Sequence, residues 1–304
     1  TGLYPALLLS SFRPLQSLRG NGLLSSAGLL RKSLVVLQFV VSITLLLGTV
    51  FIHRQMNYVM NKDLHVNTEN VLTIPAWKLG DKVKDFKEDL QASSYVKGVT
   101  ASNLSFFDGG NSTSDLDWPG RPADSKIVIW DIAVDQPFMS FFNTHIVAGT
   151  DFSKTSPGTP NYILNETAVR KMGLKNPVGT VIKFHEQPGT VIGVVKDFHF
   201  ESLHKELEPA LLRYDTEETA MLYAKVPQQN AKEVIAYAQK MWRAYEPVLP
   251  MEYSFLDDQL AKQYDKETRA SYLFDAFALI TLLISCLGLF GLAAYSAERR
   301  TKEI

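Results

Sequence analysis

One stretch of the sequence brings together side chains suited to metal binding and acid–base chemistry. Asp197, His199 and Glu201 alternate along the chain, so all three would point to one face of a continued β-strand, and His185 and His204 lie nearby. Carboxylate and imidazole groups arranged in this way bind transition metals. The alternative is a polar strand end, at which Asp197 caps a turn and His199 hydrogen-bonds the backbone. The spacing matches no specific zinc pattern, which favours this alternative.

Signature motifs of the common catalytic classes are absent from the 304-residue sequence. It contains no Gly-x4-Gly-Lys-Ser/Thr phosphate loop, no Gly-x-Ser-x-Gly elbow and no His-Glu-x-x-His helix. Cys286 is the single cysteine, so the chain has neither a cysteine pair for zinc nor a disulfide. We therefore predict no enzyme activity and no catalytic, cofactor-binding or metal site in this chain.

Large aromatic side chains are a second set of candidates, because they could line a ligand groove. The alternative is packing in the core or between subdomains, which is the commoner use of such residues. The candidates are Trp77, Phe106, Phe107, Trp118 and Trp130.

Small residues recur every third position near the C-terminal end of the chain. They are Ser285, Gly288, Gly291 and Ala294, and they lie in an apolar run. Because small residues let helix backbones approach closely in a bilayer, we interpret them as a helix-packing ridge, although apolar runs also contain small residues by chance. Gln38, in an earlier apolar run, either hydrogen-bonds a neighbouring helix or lies near the membrane interface.

The helix-packing ridge and Gln38 lie in two apolar runs that are each long enough to span a membrane. Leu34 to Ile52 gives 19 residues without a charge and Ala276 to Tyr295 gives 20, each long enough to cross a hydrocarbon core of about 30 Å. Both runs are flanked on their outer sides by basic residues, which places both chain ends in the cytoplasm and residues 53–275 outside it. The flanking residues are Arg13, Arg19, Arg31, Lys32, Arg299, Arg300 and Lys302.

A strand–helix–strand pattern occurs twice in the outer part. Strands are predicted at 70–75, 97–106, 219–226 and 251–256, with helices at 82–91 and 231–245. Short strands at 127–134, 162–164, 178–184 and 190–196 lie between the two units and are separated by Pro/Gly turns. Asp257 and Asp258 are candidate caps of a helix that leads into the second span.

The predicted fold is therefore that of a membrane protein in which two transmembrane α-helices flank an α+β extracytoplasmic domain. This domain is a ferredoxin-like pair of βαβ units, of the porter type, with an inserted mostly-β subdomain. The predicted segments are a cytoplasmic connector (1–32), a transmembrane helix (33–52), a stalk (53–69), the α/β subdomain (70–107 and 216–256), the inserted subdomain (108–215), a stalk helix (257–273), a transmembrane helix (274–295) and the start of a cytoplasmic segment (296–304).

Several segments, in a consistent order along the whole chain, resemble FtsX/MacB-type ABC-transporter permeases, particularly the two-repeat permeases of Bacteroidetes-like bacteria. The segments are Gly2-Leu3-Tyr4-Pro5-Ala6, Ser10-Ser11-Phe12-Arg13-Pro14, Arg31-Lys32-Ser33-Leu34-Val35-Val36-Leu37-Gln38-Phe39, Ala148-Gly149-Thr150-Asp151-Phe152-Ser153, Asn165-Glu166-Thr167-Ala168, Gly193-Val194-Val195-Lys196-Asp197-Phe198-His199, Cys286-Leu287-Gly288-Leu289-Phe290-Gly291-Leu292 and Glu298-Arg299-Arg300-Thr301-Lys302-Glu303-Ile304. The chain starts at Thr1 and stops abruptly at Thr301-Lys302-Glu303-Ile304, so we expect a segment of a longer polypeptide.

The resemblance implies a multi-pass protein of the bacterial inner membrane whose central domain is periplasmic. It implies a cytoplasmic ABC ATPase that binds the ATP, a second permease copy or the other half of the same permease, and a periplasmic partner protein; nucleic acid is not expected as a partner. By the same resemblance the tail begins a segment that docks on the ATPase, although it could also be a solvated stop. The docking residues would be Glu298, Arg299, Arg300, Lys302 and Glu303.

The predicted function is that of a permease subunit, which couples ATP hydrolysis by its partner to movement of the periplasmic domain for export or efflux. One alternative is an FtsX-like regulator of periplasmic cell-wall hydrolases. Another is a two-span receptor that senses a ligand outside the cell. The transported substrate or signal is left open by the sequence.

Overall fold

The structure is a computed structural model that describes residues 23–60, 64–152, 160–202 and 205–301. The chain divides into two compact units. One contains the long helices α1 (Leu23–Met60) and α7 (Asp265–Thr301), and the other spans residues 61–265. Within the described residues, Ser33–Tyr58 and Asp265–Gly291 are long and apolar enough to cross a membrane. The predicted spans lie within these two helices.

The helices of the first unit expose large apolar side chains over most of their surface. Leu47, Phe51, Leu287 and Phe290 are between 65% and 73% exposed. An apolar surface of this extent is unfavourable in water, whereas acyl chains solvate it. The exposure pattern therefore agrees with a pair of helices immersed in lipid.

The second unit is built around one mixed sheet with helices on its faces. Its strands are β1 (Val71–Pro75), β2 (Gly98–Ser102), β3 (Asn111–Thr113), β4 (Leu116–Asp117), β5 (Ile129–Val134), β6 (Ile146–Gly149), β7 (Asn161–Asn165), β8 (Val181–Phe184), β9 (Gln187–Val195), β10 (Ala210–Tyr214), β11 (Met221–Lys225) and β12 (Ser254–Phe255). Its helices are α2 (Val83–Gln91), α3 (Phe138–Phe141), α4 (Glu166–Met172), α5 (Ala231–Tyr245) and α6 (Leu256–Gln263), and a 3₁₀ helix covers Trp77–Lys82.

Four antiparallel neighbours form the ferredoxin-like part, in the order β12-β1-β11-β2. Helices α2 and α5 cover one face of these strands. Successive side chains of β11 point to opposite faces of the sheet and so belong to two different hydrophobic cores. Leu222 and Ala224 pack under the helices, while Tyr223 packs among the phenylalanines of the opposite face. The two predicted strand–helix–strand units therefore form one sheet.

The remaining strands continue the same sheet in the order β5-β10-β7-β9-β8-β4, with β3 on β5 and β6 on β9. Strands β5 and β10, and also β7 and β9, run parallel. The connection from β2 to β5 is a single ladder pair, Ser102↔Val134. The sheet continues across the predicted boundaries between the α/β subdomain and the inserted subdomain, at 107/108 and 215/216, and these boundaries stay predictions.

Three local predictions are wrong. The strand predicted at 97–106 ends at Ser102, and the chain after it forms a turn in which Ser105 pairs with Gly109. The strand predicted at 251–256 is only Ser254–Phe255. The following helix begins at Leu256, so Asp257 lies in its first turn, and the helix stops before Tyr264 instead of running into the span.

Candidate functional site

A seam of small and polar side chains joins the two apolar helices. The Ser42 and Ser285 hydroxyl oxygens are 2.7 Å apart and buried, and each hydroxyl also lies 2.8 Å from a carbonyl oxygen one turn earlier in its own helix. One hydroxyl proton thus lies between the helices while the other binds backbone. Polar groups that pair in this way hold helices together in lipid, where no water can replace the partner.

Gly288 lies next to this serine pair. A Cβ atom at Gly288 would be 3.0 Å from Gln38 Oε1, closer than ordinary van der Waals contact. The absence of a side chain at Gly288 therefore makes room for the Gln38 carboxamide. The sequence placed Gln38 either in a hydrogen bond with a neighbouring helix or near the membrane interface. In the structure its carboxamide lies between the two helices, against α7.

Only part of the predicted packing ridge lies in this seam. Ser285 is buried and Gly288 half-buried, but Gly291 and Ala294 are exposed, and a Cβ atom at Gly291 would meet nothing within 4 Å. Each step of three residues along a helix shifts the side chain by about 60° around the helix axis. Ala294, nine residues after Ser285, therefore points to the side of α7 opposite to Ser285. Gly291 and Ala294 thus remain predictions for contacts with other helices.

A histidine–carboxylate pair closes one end of the seam. His53 Nε2 lies 3.0 Å from Asp275 Oδ1 and 3.2 Å from Oδ2. His53 directly follows the first uncharged run, and Asp275 directly precedes the second. The contacts of residues 38, 42 and 53 with 288, 285 and 275 show that the helices are antiparallel. The sequence analysis missed this pair, although antiparallel spans must bring such flanking residues together.

The predicted ATPase-docking tail is only partly described. Glu298, Arg299 and Arg300 belong to α7, which ends at Thr301. Lys302 and Glu303 lie outside the described residues. The tail's role stays a prediction.

The structure does not bring the candidate metal ligands together. Strand β9 ends at Val195, so no common strand face exists, and Asp197 instead accepts hydrogen bonds from Thr167 N (2.8 Å) and Thr167 Oγ1 (2.7 Å) at the start of α4. His185 pairs with Asp115 at 3.2 Å on the β8–β9 hairpin. His204 lies outside the described residues, and within the described part of the chain no three metal-ligating side chains form a group. Asp197 therefore follows the strand end, as in the alternative considered above, but its carboxylate binds the first turn of α4 instead of capping a local turn.

The candidate aromatic residues line no common groove. Phe106 and Phe107 belong to one core cluster, with Trp130 packed against it. Trp118 belongs to another cluster and donates its indole N–H to Met172 O at 3.0 Å. Trp77 is exposed. Packing is therefore the role of all but Trp77.

Asp135 forms the main polar joint between the ferredoxin-like part and the rest of the sheet. Its buried carboxylate accepts hydrogen bonds from Thr100 Oγ1 (2.5 Å), Ala101 N (2.8 Å) and the Lys87 ammonium of α2. A buried carboxylate with three donors is costly to disturb, because each donor would lose its partner away from water. No sequence pattern pointed to Asp135, since its partners are distant in the chain.

Two further groups strengthen this region. The Tyr223 hydroxyl donates to Leu104 O at 2.5 Å, and burial raises the pKa of Tyr223 above its ordinary value. Arg213 of β10 binds Asp131 of β5 at 2.7 Å and also contacts Asp215 and Glu218. Burial by itself would lower the pKa of Arg213, but its bonds to Asp131 and Glu218 raise the pKa overall.

Together these features define the class of this protein: a membrane-anchored protein with a pair of antiparallel spans and an α+β domain built on a ferredoxin-like sheet. Residues 33–238 match the family model of the MacB-like periplasmic core domain. The chain belongs to this family, and the resemblance to MacB/FtsX-like ABC permeases predicted from the sequence is confirmed. A comparison with curated proteins finds no match.

Similar solved structures include two transporter domains. The periplasmic region of MacB from Actinobacillus actinomycetemcomitans is 15% identical, with a TM-score of 0.48, over 68% of this chain and 98% of that one. The extracellular domain of the noncanonic ABC-type transporter YknZ from Gram-positive bacteria is 15% identical, with a TM-score of 0.43, over 62% of this chain and 89% of that one.

Proposed function

We propose that this chain is the non-enzymatic, mechanical part of an ABC permease, which transmits ATP hydrolysis by a partner ATPase to a periplasmic domain and thereby drives export. Membership of the MacB-like family supports an ABC-type permease at the inner membrane and an ATPase partner.

The observation that carries the proposal is the seam between the spans. The Ser42–Ser285 contact joins α1 and α7 within the apolar segments, and the exposed His53–Asp275 contact joins them at the end of these segments. Two helices tied at two levels resist sliding past each other, because sliding would break both contacts, and lipid offers the serine hydroxyls no replacement partner. A tied pair can pass a displacement from one side of the membrane to the other, whereas two independent helices would dissipate it.

The test uses the complete permease reconstituted with its ATPase in lipid nanodiscs. We expect ATP hydrolysis to depend on the permease, and we expect the double charge reversal Arg299→Glu with Arg300→Glu to abolish ATPase binding. A matched control is Lys175→Glu with Lys183→Glu, which makes the same charge change on the outer domain and should leave ATPase binding intact. Equal ATPase binding by both double variants would refute the docking role of the tail.

The alternatives give different outcomes in the same preparation. A regulator of cell-wall hydrolases would co-purify with a periplasmic hydrolase and would activate it in an ATP-dependent way without moving any solute. A two-span receptor would show no dependence of ATP hydrolysis on the permease. Export from cells that is lost on deletion and restored by the wild-type chain would support transport.

A further inference from the structure

Strand β2 has one edge that is only partly used. It pairs along its whole length with β11, but on its other side it meets β5 only at Ser102. Asp135 occupies the next position on that side: its carboxylate accepts from Ala101 N at 2.8 Å, and its own N–H donates to Ala101 O at 3.1 Å. Backbone groups of alternate residues point to the same edge of a strand, so the N–H and C=O of Val99 face this side too.

A cavity of about 670 Å³ opens at this edge, with Val99 among its lining residues. Helix α2 contributes Lys87 and Gln91 to its lining, and the turn of α3 contributes Phe141. Gly98 borders the cavity beside the Phe141 ring: a Cβ atom there would lie 3.7 Å from the ring, in ordinary van der Waals contact, so a larger side chain would extend into the remaining space. The volume is within the range of about 300–1,000 Å³ that holds small ligands.

The charges around the cavity are mainly positive. Lys87, Lys97 and Lys225 line it, and Glu88 is the only acidic residue among its lining residues. Lys87 is bound to Asp135, but for the ammonium groups of Lys97 and Lys225 the described part of the chain provides neither a carboxylate nor another hydrogen-bond acceptor. Two unpaired ammonium groups beside an apolar ring favour an anion that carries an apolar group.

We propose that this cavity, which we call the β2-edge cavity, binds a short extended peptide with a free carboxylate. The peptide would add to the sheet edge: Val99 N–H would donate to a peptide carbonyl, and a peptide N–H would donate to Val99 O. Lys97 and Lys225 would bind the carboxylate, and an apolar side chain would pack on Phe141. Strand addition of this kind gains affinity from backbone hydrogen bonds and specificity from the flanking side chains. The proposal concerns binding only, so it goes beyond the permease function and stands independently of it.

The test measures peptide binding to the full chain in lipid nanodiscs by fluorescence anisotropy. The probe is the tetrapeptide Gly-Ala-Val-Val with an N-terminal fluorescein and a free C-terminal carboxylate, and its control is the same peptide as the C-terminal amide. We expect the amide to bind at least about tenfold more weakly, because it lacks the charge-assisted contacts. Equal affinity of acid and amide would overturn the proposal.

Two kinds of variant locate the site. Lys97→Gln with Lys225→Gln should weaken binding of the acid about tenfold or more, whereas Lys175→Gln with Lys183→Gln removes the same charge elsewhere and should leave it unchanged. Equal losses in both double variants would refute the site, since they would indicate a general charge effect.

A third variant tests the cavity itself. Gly98→Leu would fill the space next to Phe141 while keeping every lysine, and it should abolish binding at an unchanged melting temperature. Wild-type binding by a folded Gly98→Leu variant would overturn the proposal. If the Gly98→Leu variant fails to fold, the binding measured with the Lys97→Gln, Lys225→Gln double variant tests the proposal instead. We expect that double variant to fold, because Lys97 is exposed and Lys225 is half-buried. Displacement of the probe by sodium acetate as effectively as by unlabelled peptide would also refute it, because the strand edge would then contribute nothing.

Discussion

The seam between the spans gives a sharp prediction, because two glycines three residues apart in α7 have different surroundings. Gly288→Leu should separate α1 from α7, whereas Gly291→Leu should not. Both substitutions add the same side chain to the same helix, so effects on membrane insertion and helix propensity cancel in the comparison. The difference isolates the contact with Gln38.

The magnitude follows from the distances. The first side-chain atom at Gly288 would already lie 3.0 Å from Gln38 Oε1, and leucine adds three more carbons beyond it. Overpacking of a tight contact costs about 1–3 kcal/mol, which corresponds to about a fivefold to hundredfold change in an equilibrium constant. At Gly291 nothing lies within 4 Å, and we expect a change within about 0.5 kcal/mol. Gly288→Ala should be mild, because the flexible end of Gln38 can move aside.

The assay is disulfide formation between cysteines placed at Ser42 and Ser285, in a background in which Cys286 is replaced by serine. The two hydroxyl oxygens are 2.7 Å apart, so sulfur atoms placed at the same positions lie within reach of each other for the S–S bond of about 2.05 Å. We expect rapid cross-linking in membranes with wild-type glycines and with Gly291→Leu. With Gly288→Leu we expect at least about a fivefold lower yield.

A yield with Gly288→Leu equal to that with Gly291→Leu, at matched abundance, would refute the seam as described. Transport by the complete permease provides an independent readout. If Gly288→Leu lowers the cross-link yield but export and ATP hydrolysis are normal, the seam exists and does not transmit movement. That result would refute the proposed mechanism while leaving the geometry intact.

Other predictions concern the outer domain and the topology. Asp135→Ala should lower the free energy of unfolding by about 3 kcal/mol, since it leaves buried donors without a partner, whereas Lys87→Met should cost about 1 kcal/mol; equal losses in urea titrations would contradict the three-donor joint. Because burial raises the pKa of Tyr223 above that of the unfolded chain, its contribution to stability is complete below about pH 10 and is lost as the pH rises further; Tyr223→Phe should flatten this alkaline loss in melting curves. In a cysteine-free background, a cysteine at Ser112 should react with an impermeant thiol reagent in spheroplasts and one at Ser26 should not; the reverse labelling would overturn the orientation inferred from basic residues.

Much of the fold was readable from the sequence because local patterns determine it. The two uncharged runs predicted α1 and α7, and α5 was predicted with its observed limits, 231–245, because its apolar residues recur with helical spacing. The four short strands predicted between 127 and 196 were found within a few residues, since alternation and turn residues mark them, whereas β3, β4, β6 and β10 were not predicted. The family could be recognised because its segments keep their order along the chain. Strand ends failed where a turn depends on distant contacts, as after Ser102.

The contacts between elements were decided by the tertiary structure. Spacing alone suggested a four-residue ridge, but a helix rotates its side chains, so the partner's position selected Ser285 and Gly288 and left Gly291 exposed. Asp197 has the chemistry of a metal ligand, but it lies beyond the end of β9, and its carboxylate accepts hydrogen bonds from Thr167 in the first turn of α4. The sequence thus determined which segments are helices, strands and spans, because those preferences depend on neighbouring residues. Which side chains meet across the molecule depended on packing between segments far apart in the chain, which no local pattern contains.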